Sequence, residues 1–298
     1  MCKGDGLGGA AKASFSKFTP TFNLLYKITP ETNVFGRIAQ GFKSGGFPAE
    51  APVTASSSPL TPFKPEVSTA YEVGVKTSFM DGRGQLSANL FFTKVSDYQV
   101  SLLPAGSISP TQINAGKLQT QGLEVDAAFR VTSGLKLTGS YGYMDVKFKQ
   151  YLAFSATGVP VDAASNTQPA GAPKHTFNLN VDARLAETES GLKLRGMMDY
   201  RYVAKRYIYP GQISATAPNA TVGNSAAESQ LAAISTVDLR LILSGIKLGG
   251  PGEADATLWV KNATNQHTLV SMLDVSGFYQ GGYWSDPRTA GVTLNYRW

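Results

Sequence analysis

The sequence predicts an all-β protein, an antiparallel transmembrane β-barrel wall of about eleven strands. Three observations carry this reading. Apolar and polar residues alternate with a period of two along nearly the whole chain, the signature of strands with one greasy and one polar face. The connections between these segments alternate short, long, short, long, as in outer-membrane barrels with tight periplasmic turns and long external loops. Charged residues make up only 16% of the chain against 42% hydrophobic, yet the longest apolar run is four residues, Tyr151–Phe154. A membrane helix needs about 20, so a helical span is excluded.

The strands follow in order near 17–28, 33–43, 67–79, 85–98, 117–131, 135–148, 174–185, 191–208, 232–247, 254–268 and 288–298. In YEVGVKTSF (71–79), Tyr71, Val73, Val75 and Phe79 oppose Glu72, Lys76 and Ser78. In LEVDAAFRV (123–131), Leu123, Val125, Ala127, Phe129 and Val131 oppose Glu124, Asp126 and Arg130. FNLNVDARL (177–185) and VDLRLIL (237–243) repeat the pattern, as do Leu192, Leu194, Met198, Tyr200 and Tyr202 against Lys193, Arg195, Asp199 and Arg201. The last strand, GVTLNYRW, sets Val292, Leu294, Tyr296 and Trp298 on one face. Chain ends are usually frayed and polar, so this ending predicts a paired, one-sided strand. Tight turns fall at TPET, MDGRG, TSG, AETES and LGGPGE; long loops fall near 44–66, 99–116, 149–173, 209–231 and 269–287. The best helical candidate is one or two turns within 224–234.

A soluble sandwich also alternates, but two features direct the apolar face to lipid. That face holds many small residues, among them Ala88, Ala127, Gly139, Ala183, Gly196 and Ala256, whereas a protein core needs close interlocking of large ones. Tyr98, Tyr141, Tyr143, Tyr200 and Tyr202 sit where strands meet long loops, the headgroup level that amphipathic rings favour.

The net charge of +6 comes from scattered Lys and Arg with no basic run, so no nucleic-acid partner is expected. One cysteine, Cys2, excludes an internal disulfide and a Cys-based metal site. The opening MCKGDGLGGAAK has no apolar core of a secretory signal. GDGLGG lacks the Lys-Ser/Thr ending of a phosphate loop and reads as a flexible segment.

Several stretches resemble the C-terminal half of the barrel of TonB-dependent outer-membrane receptors: GRIAQGFKSGGF (36–47), FKPEVSTAYEVGVKTSF (63–79), ANLFFTKVSDYQ (88–99), NAGKLQTQGLEVDAAF (114–129), APKHTFNLN (172–180), LWVKNATNQ (258–266) and DPRTAGVTLNYRW (286–298). They cover the chain from about residue 15. Such receptors are 22-stranded barrels with a plugged lumen. The resemblance therefore implies half a barrel without a plug domain, residues 1–14 forming a flexible external segment and 15–298 the C-terminal part of the wall. It implies outer-membrane lipid, the missing N-terminal plug and barrel half, and the barrel-assembly machinery as partners. TonB is reached only through the missing part, and the ligand is a small molecule such as a ferric siderophore. Val292, Leu294, Tyr296 and Trp298 resemble the assembly signal. No cofactor and no enzyme activity are implied. The location implied is the outer membrane of a Gram-negative bacterium. An open half-barrel leaves two strand edges unpaired, and each unmade backbone bond in hydrocarbon costs several kcal/mol. The other readings are a small passive porin-like barrel and an outer-membrane hydrolase.

No catalytic constellation is present. His175 and His267 lack Ser, Cys or carboxylate partners at triad or metal spacing and read as solvated wall histidines. Candidate ligand contacts are Lys43, Arg206, Tyr207, Tyr209, Tyr279, Tyr283, Trp284 and Arg288, high on the inner wall and in long loops. Cations and aromatic rings suit anionic, aromatic chelates through ion pairing and stacking. Glu124, Arg130, Asp182, Arg195 and Arg240 read as cross-strand partners in a wet lumen. Ser44–Gly46 and Asp286–Arg288 read as loop-shaping segments: Gly45 and Gly46 allow positive φ, and Asp286–Pro287 restricts the entry to the last strand.

Overall fold

The computed structural model describes residues 12–48, 61–102, 111–154, 160–208, 211–212, 230–275 and 279–298. Eleven strands follow one another through the sheet in chain order: β1 (Thr21–Lys27), β2 (Thr32–Lys43), β3 (Glu66–Phe79), β4 (Gly84–Leu102), β5 (Thr111–Thr132), β6 (Leu135–Phe154), β7 (His175–Glu187), β8 (Lys193–Val203), β9 (Ile234–Lys247), β10 (Glu253–Lys261) and β11 (Thr289–Arg297), and a twelfth, short strand, Pro160–Asp162, pairs with the end of β6 off this path. Every neighbouring pair is antiparallel. Among the described residues β1 bonds only to β2 and β11 only to β10, so the sheet is open at both edges.

The register aligns the period-two pattern across strands. One row of directly opposed residues reads Lys27, Asn33, Lys76, Ser87, Asp126, Ser140, Asn178, Arg201, Thr236 from β1 to β9, and it is polar throughout. The adjoining row reads Tyr26, Val34, Val75, Ala88, Val125, Tyr141, Phe177, Tyr202, Ser235 and points to the other face. A slip of one residue at any strand would exchange the faces, so the pattern itself fixes the pairing. The polar row lines the concave side, where it bounds a cavity of about 810 Å³. Among the described residues no second protein layer covers the apolar side: Leu239, Leu258 and Leu294 are 41%, 52% and 76% exposed, and Leu123 and Val181 are partly exposed.

The upper edge of the apolar face is visible residue by residue. On β3 and β4 the aliphatic level of Val73 and Leu90 gives way to Tyr71 and Phe92, whose rings lie 6.2 Å apart, while the same row on β5 and β6 is already polar at Gln121 and Asp145. The next outward row is Gln40, Thr69, Lys94, Gln119 and Lys147, polar in all five strands. Lys94 holds its ammonium 5.3 Å from the Phe92 ring centre. At the opposite rim Phe79 stacks on Phe129 at 6.2 Å, and Tyr296 meets Trp298 at 6.3 Å. This is a lipid-facing belt between two aromatic girdles.

The short rim is built by turn chemistry. In the turn Met80–Arg83 the Arg83 amide donates to the Met80 carbonyl at 3.1 Å. Asp81 and Gly82, between them, have φ of 54° and 79°, the Asp-Gly hairpin geometry that matches strand twist. The Arg83 guanidinium donates to the Val131 carbonyl at 2.8 Å and ties this turn to its neighbour.

At the long-loop rim two expectations are revised. β4, β5 and β6 run on to 19, 22 and 20 residues, so the expected loops 99–116 and 149–173 are partly tall paired strands. Their inner sides close over a small core of Val100, Ala115, Phe148, Tyr151 and Ala163. Tyr98 joins it, 5.9 Å from the Phe148 ring, instead of standing in the girdle. The register shifts on either side of Tyr98, with Asp97 at φ 53°, turn it off the lipid-facing row. Gly45 and Gly46 do not take positive φ. They permit close approach instead: a Cβ at Gly46 would lie 2.9 Å from the Phe63 ring, and one at Gly45 2.8 Å from Phe15. Residues 224–229 of the expected helical turn lie outside the described residues, and Gln230–Leu231 is a short strand.

Candidate ligand-facing rim and inner wall

The inner wall is an array of cross-strand ion pairs and amide bonds. Arg37 reaches Glu72 at 3.5 Å, Arg240 reaches Asp199 at 3.0 Å, and Arg297 reaches Asp255 at 2.7 Å. Arg195 grips Asp182 with two nitrogens. Asn180 donates to Asp199 at 2.7 Å, and Asn89 to Glu124 at 3.3 Å. Glu124, Asp182, Arg195 and Arg240 therefore have the cross-strand partners expected of them. Arg130 has no ion pair among the described residues. At two inner-face glycines of the wall, an aromatic ring from the next strand lies over the backbone. A Cβ at Gly74 would sit 2.6 Å from the Phe35 ring, and one at Gly122 2.6 Å from Phe91.

The external rim is held by two buried amides that the sequence reading missed. Gln99, 7% exposed, donates its side-chain nitrogen to the Ser44 carbonyl at 2.9 Å and the Lys64 carbonyl at 3.1 Å. Its own backbone N–H donates to Glu66 Oε2 at 2.8 Å. Asn114 completes the clasp by accepting from the Lys64 N–H at 2.6 Å and donating to the Asp97 carbonyl at 2.8 Å. Asn262, also 7% exposed, is the second hub. Its amide donates to the carbonyls of Gln266 and Asp286 at 3.0 and 2.9 Å, and its oxygen accepts from the Gln266 N–H. So the carbonyl of Asp286 anchors the entry to β11, next to Pro287. The one available signal was an Asn inside NATNQ, a residue type that tolerates the φ of 48° found there.

The candidate ligand residues fall into two places. Arg206–Tyr207 is a short strand paired with Gln230–Leu231, which touches the strand Leu269–Val275. That strand pairs with Tyr279–Trp284. Arg206, Tyr207, Tyr279, Tyr283 and Trp284 thus share one external layer. Tyr283 and Trp284 are 72% and 65% exposed. Tyr207 accepts from Gln230 Nε2 at 3.0 Å, whereas Arg206 buries Nη1 with no hydrogen-bond partner. Arg288 stands at the foot of this layer, its N–H donating to Asn265 Oδ1 at 3.2 Å. Lys43 ends β2, far along the sheet from β8, and is not part of the layer. Tyr209 lies outside the described residues.

His175 is exposed on the wall. It belongs to the lipid-facing row, where Tyr141 Oη lies 2.9 Å from its Nδ1 and the Tyr143 ring 5.3 Å from its ring. Among the described residues no Ser, Cys or carboxylate is bonded to it, and there is no cluster of three metal-ligating side chains. Tyr151 is the one strongly perturbed acid of the external core. Burial, and then the charge of Tyr98, push its hydroxyl up to about 12.

Comparison with known proteins agrees with this architecture. The family described as TonB dependent receptor-like, beta-barrel matches residues 3–265. The metal-pseudopaline receptor CntO of Pseudomonas aeruginosa is 30% identical over 130 residues, 43% of this chain and 17% of that protein. The pesticin receptor of Yersinia enterocolitica is 30% identical over 131 residues, 44% of this chain and 18% of that protein. Among solved structures, the ferric yersiniabactin uptake receptor FyuA from Yersinia pestis superposes with a TM-score of 0.67 at 20% identity, covering 92% of this chain and 36% of that one. The ferric preacinetobactin receptor BauA from Acinetobacter baumannii gives 0.65 at 19% identity, covering 93% and 36%. The chain thus spans about a third of the length of these receptors. Family members are receptors and transporters of the Gram-negative outer membrane, not enzymes. With its open meander of eleven strands, lipid belt and polar inner wall, this chain belongs to the TonB-dependent receptor β-barrel family.

Proposed function

We propose that residues 15–298 supply the C-terminal part of the wall of an outer-membrane receptor, and that residues 1–14 lie on its external side. The whole receptor takes up a scarce solute, a ferric siderophore, with energy delivered by TonB to a plug domain. The observation that carries the reading is the pair of unbonded edges on β1 and β11 in a sheet otherwise built for lipid. Each unmade backbone bond in hydrocarbon costs several kcal/mol, so the wall calls for further strands to close it. In this reading Lys43, Arg206, Tyr207, Tyr209, Tyr279, Tyr283, Trp284 and Arg288 contact the ligand. Val292, Leu294, Tyr296 and Trp298 present the closing strand to the assembly machinery, and their exposure of 44% or more leaves them free to do so. The ligand type is supported by relatives whose names specify ferric or metal chelates.

The test is uptake. The chain is joined to the plug and N-terminal wall of a related receptor and placed in a host lacking its own siderophore receptors. The expected result is iron uptake that disappears when TonB is deleted. Uptake unaffected by TonB, together with stable conductance from the chain alone in planar bilayers, would replace this reading with the passive porin.

A further inference from the structure

At the short-turn rim the inner face gathers cations in an arrangement that works against folding. Arg130 on β5 stands directly opposite Lys136 on β6, and Arg184 on β7 directly opposite Arg195 on β8. Like charges in opposed positions destabilise a sheet. With Lys193 these residues line a single concavity of about 450 Å³, which Ser133 and Ser244 also border. Two carboxylates face the five cations. Asp182, directly opposite Lys136, is gripped by Arg195, and Glu187 is shared by Arg184 at 3.0 Å and Lys193 at 3.3 Å, so Arg130 is the cation left without a facing carboxylate among the described residues. Among the described residues Arg130 and Lys136 make no ion pair within 4.0 Å. Arg184 also donates to the Ser133 hydroxyl at 3.4 Å, so the turn supplies a hydroxyl at the same spot.

We propose that this concavity is a binding site for a small, multiply charged oxyanion at the periplasmic mouth of the lumen. A guanidinium fork matches carboxylate or phosphate oxygens in two-point geometry, and an ammonium adds an adaptable point charge. The volume falls within the range of small-molecule sites. An oxyanion placed between Arg130 and Lys136 turns a repulsive pair into two attractive contacts, so ligand binding and wall stability rise together. The site stands at the rim opposite the external layer of Arg206 and Tyr283, and its argument uses neither the siderophore nor TonB.

The experiment uses the full chain folded in detergent micelles. It is titrated with citrate and, separately, with inorganic pyrophosphate, against sodium chloride of matched ionic strength. Calorimetry reads binding and thermal unfolding reads stability. Saturable binding by either anion, with a raised unfolding midpoint, is the expected result. Tighter citrate assigns polycarboxylates, and tighter pyrophosphate assigns phosphates. The double variant Arg130→Gln, Lys136→Gln should lose affinity by about tenfold or more, melt higher than the parent without anion, and show no anion-dependent rise. Arg130→Lys keeps the charge and should keep most of the binding; Arg37→Gln, far from the concavity, should keep all of it. A parent chain that responds to chloride as it does to citrate and pyrophosphate, or a double variant with unchanged affinity, would overturn the proposal.

Discussion

The same three strands, β4, β5 and β6, are stabilised in two different ways along their length. In the belt, their apolar side chains stand partly or fully exposed, with lipid as the layer that covers them. Above the belt, Val100, Phe148 and Tyr151 fall to 7%, 7% and 6% exposure. All seven buried apolar residues among the described residues lie at this external end, Ala204 and Leu231 included. The difference shows what the bilayer supplies. Where acyl chains are present, no protein core is needed and small residues are tolerated. Where water replaces them, the strands extend, bend at bulges, and fold the segment around Ala163 onto themselves to make a core of their own.

Phe148→Ala should have the largest effect, and a local one. A buried Phe truncated to Ala costs about 3–5 kcal/mol, and Phe148 is one of the two buried rings of this small core. Hydrogen exchange should accelerate in 97–102, 113–118 and 146–152, while the belt amides of 86–92 and 123–129 stay protected. Equal loss of protection in both regions would show that tower and belt unfold as one unit and that the division drawn between them is false.

Val125→Arg tests the belt. Val125 lies midway down β5 on the lipid side, and Arg at the bilayer midplane costs about 2–4 kcal/mol in barrels of this kind. Ser87→Arg is the matched control. Ser87 sits at the same level on β4, directly opposite Asp126, but on the wet face, where a surface change is worth about 0.5 kcal/mol or less. Urea unfolding in lipid–detergent micelles measures both. Similar losses for the two variants would mean that the faces do not see different solvents.

How much of this was legible in the sequence follows from the same contrast. In the belt each residue's face is set by parity alone, so Tyr71, Val125 and Leu239 could be placed from alternation, and the eleven strands with their alternating turns followed. In the tower, register shifts at Val95/Tyr98 and Lys117/Leu118 break the parity, which is why Tyr98 read as a girdle residue. The rim clasps were hidden for another reason. Gln99 and Asn262 act on backbone carbonyls, and Gln99 reaches across 55 and 35 residues to Ser44 and Lys64; no local pattern marks such a partner. Of the proposed ligand residues, chemistry and loop position were enough to group Arg206, Tyr207, Tyr283 and Trp284. Lys43 was grouped with them by height alone, and height says nothing about which strand stands beside which.

Tyr151 sharpens the comparison through pH. It is the tower's buried phenol, raised from an ordinary 10.0 to about 12 by burial and by Tyr98. The folded state therefore holds this proton more tightly than the unfolded state. Its contribution is complete below pH 10 and is lost as pH rises from there through about 12. A proton held across that interval is worth about 2–3 kcal/mol, enough to open a small tower and too little to unfold a wall of eleven paired strands. Near-ultraviolet tyrosinate absorbance should show a step near pH 12, above that of Tyr98, which burial and Glu66 also raise, and protease sensitivity of the segments flanking β4–β6 should rise in the same interval. Tyr151→Phe keeps the ring and removes the proton, so it should abolish the late absorbance step and flatten the alkaline loss. An unchanged alkaline loss in that variant would place the responsible group elsewhere on the wall and remove Tyr151 from the account of the tower's stability.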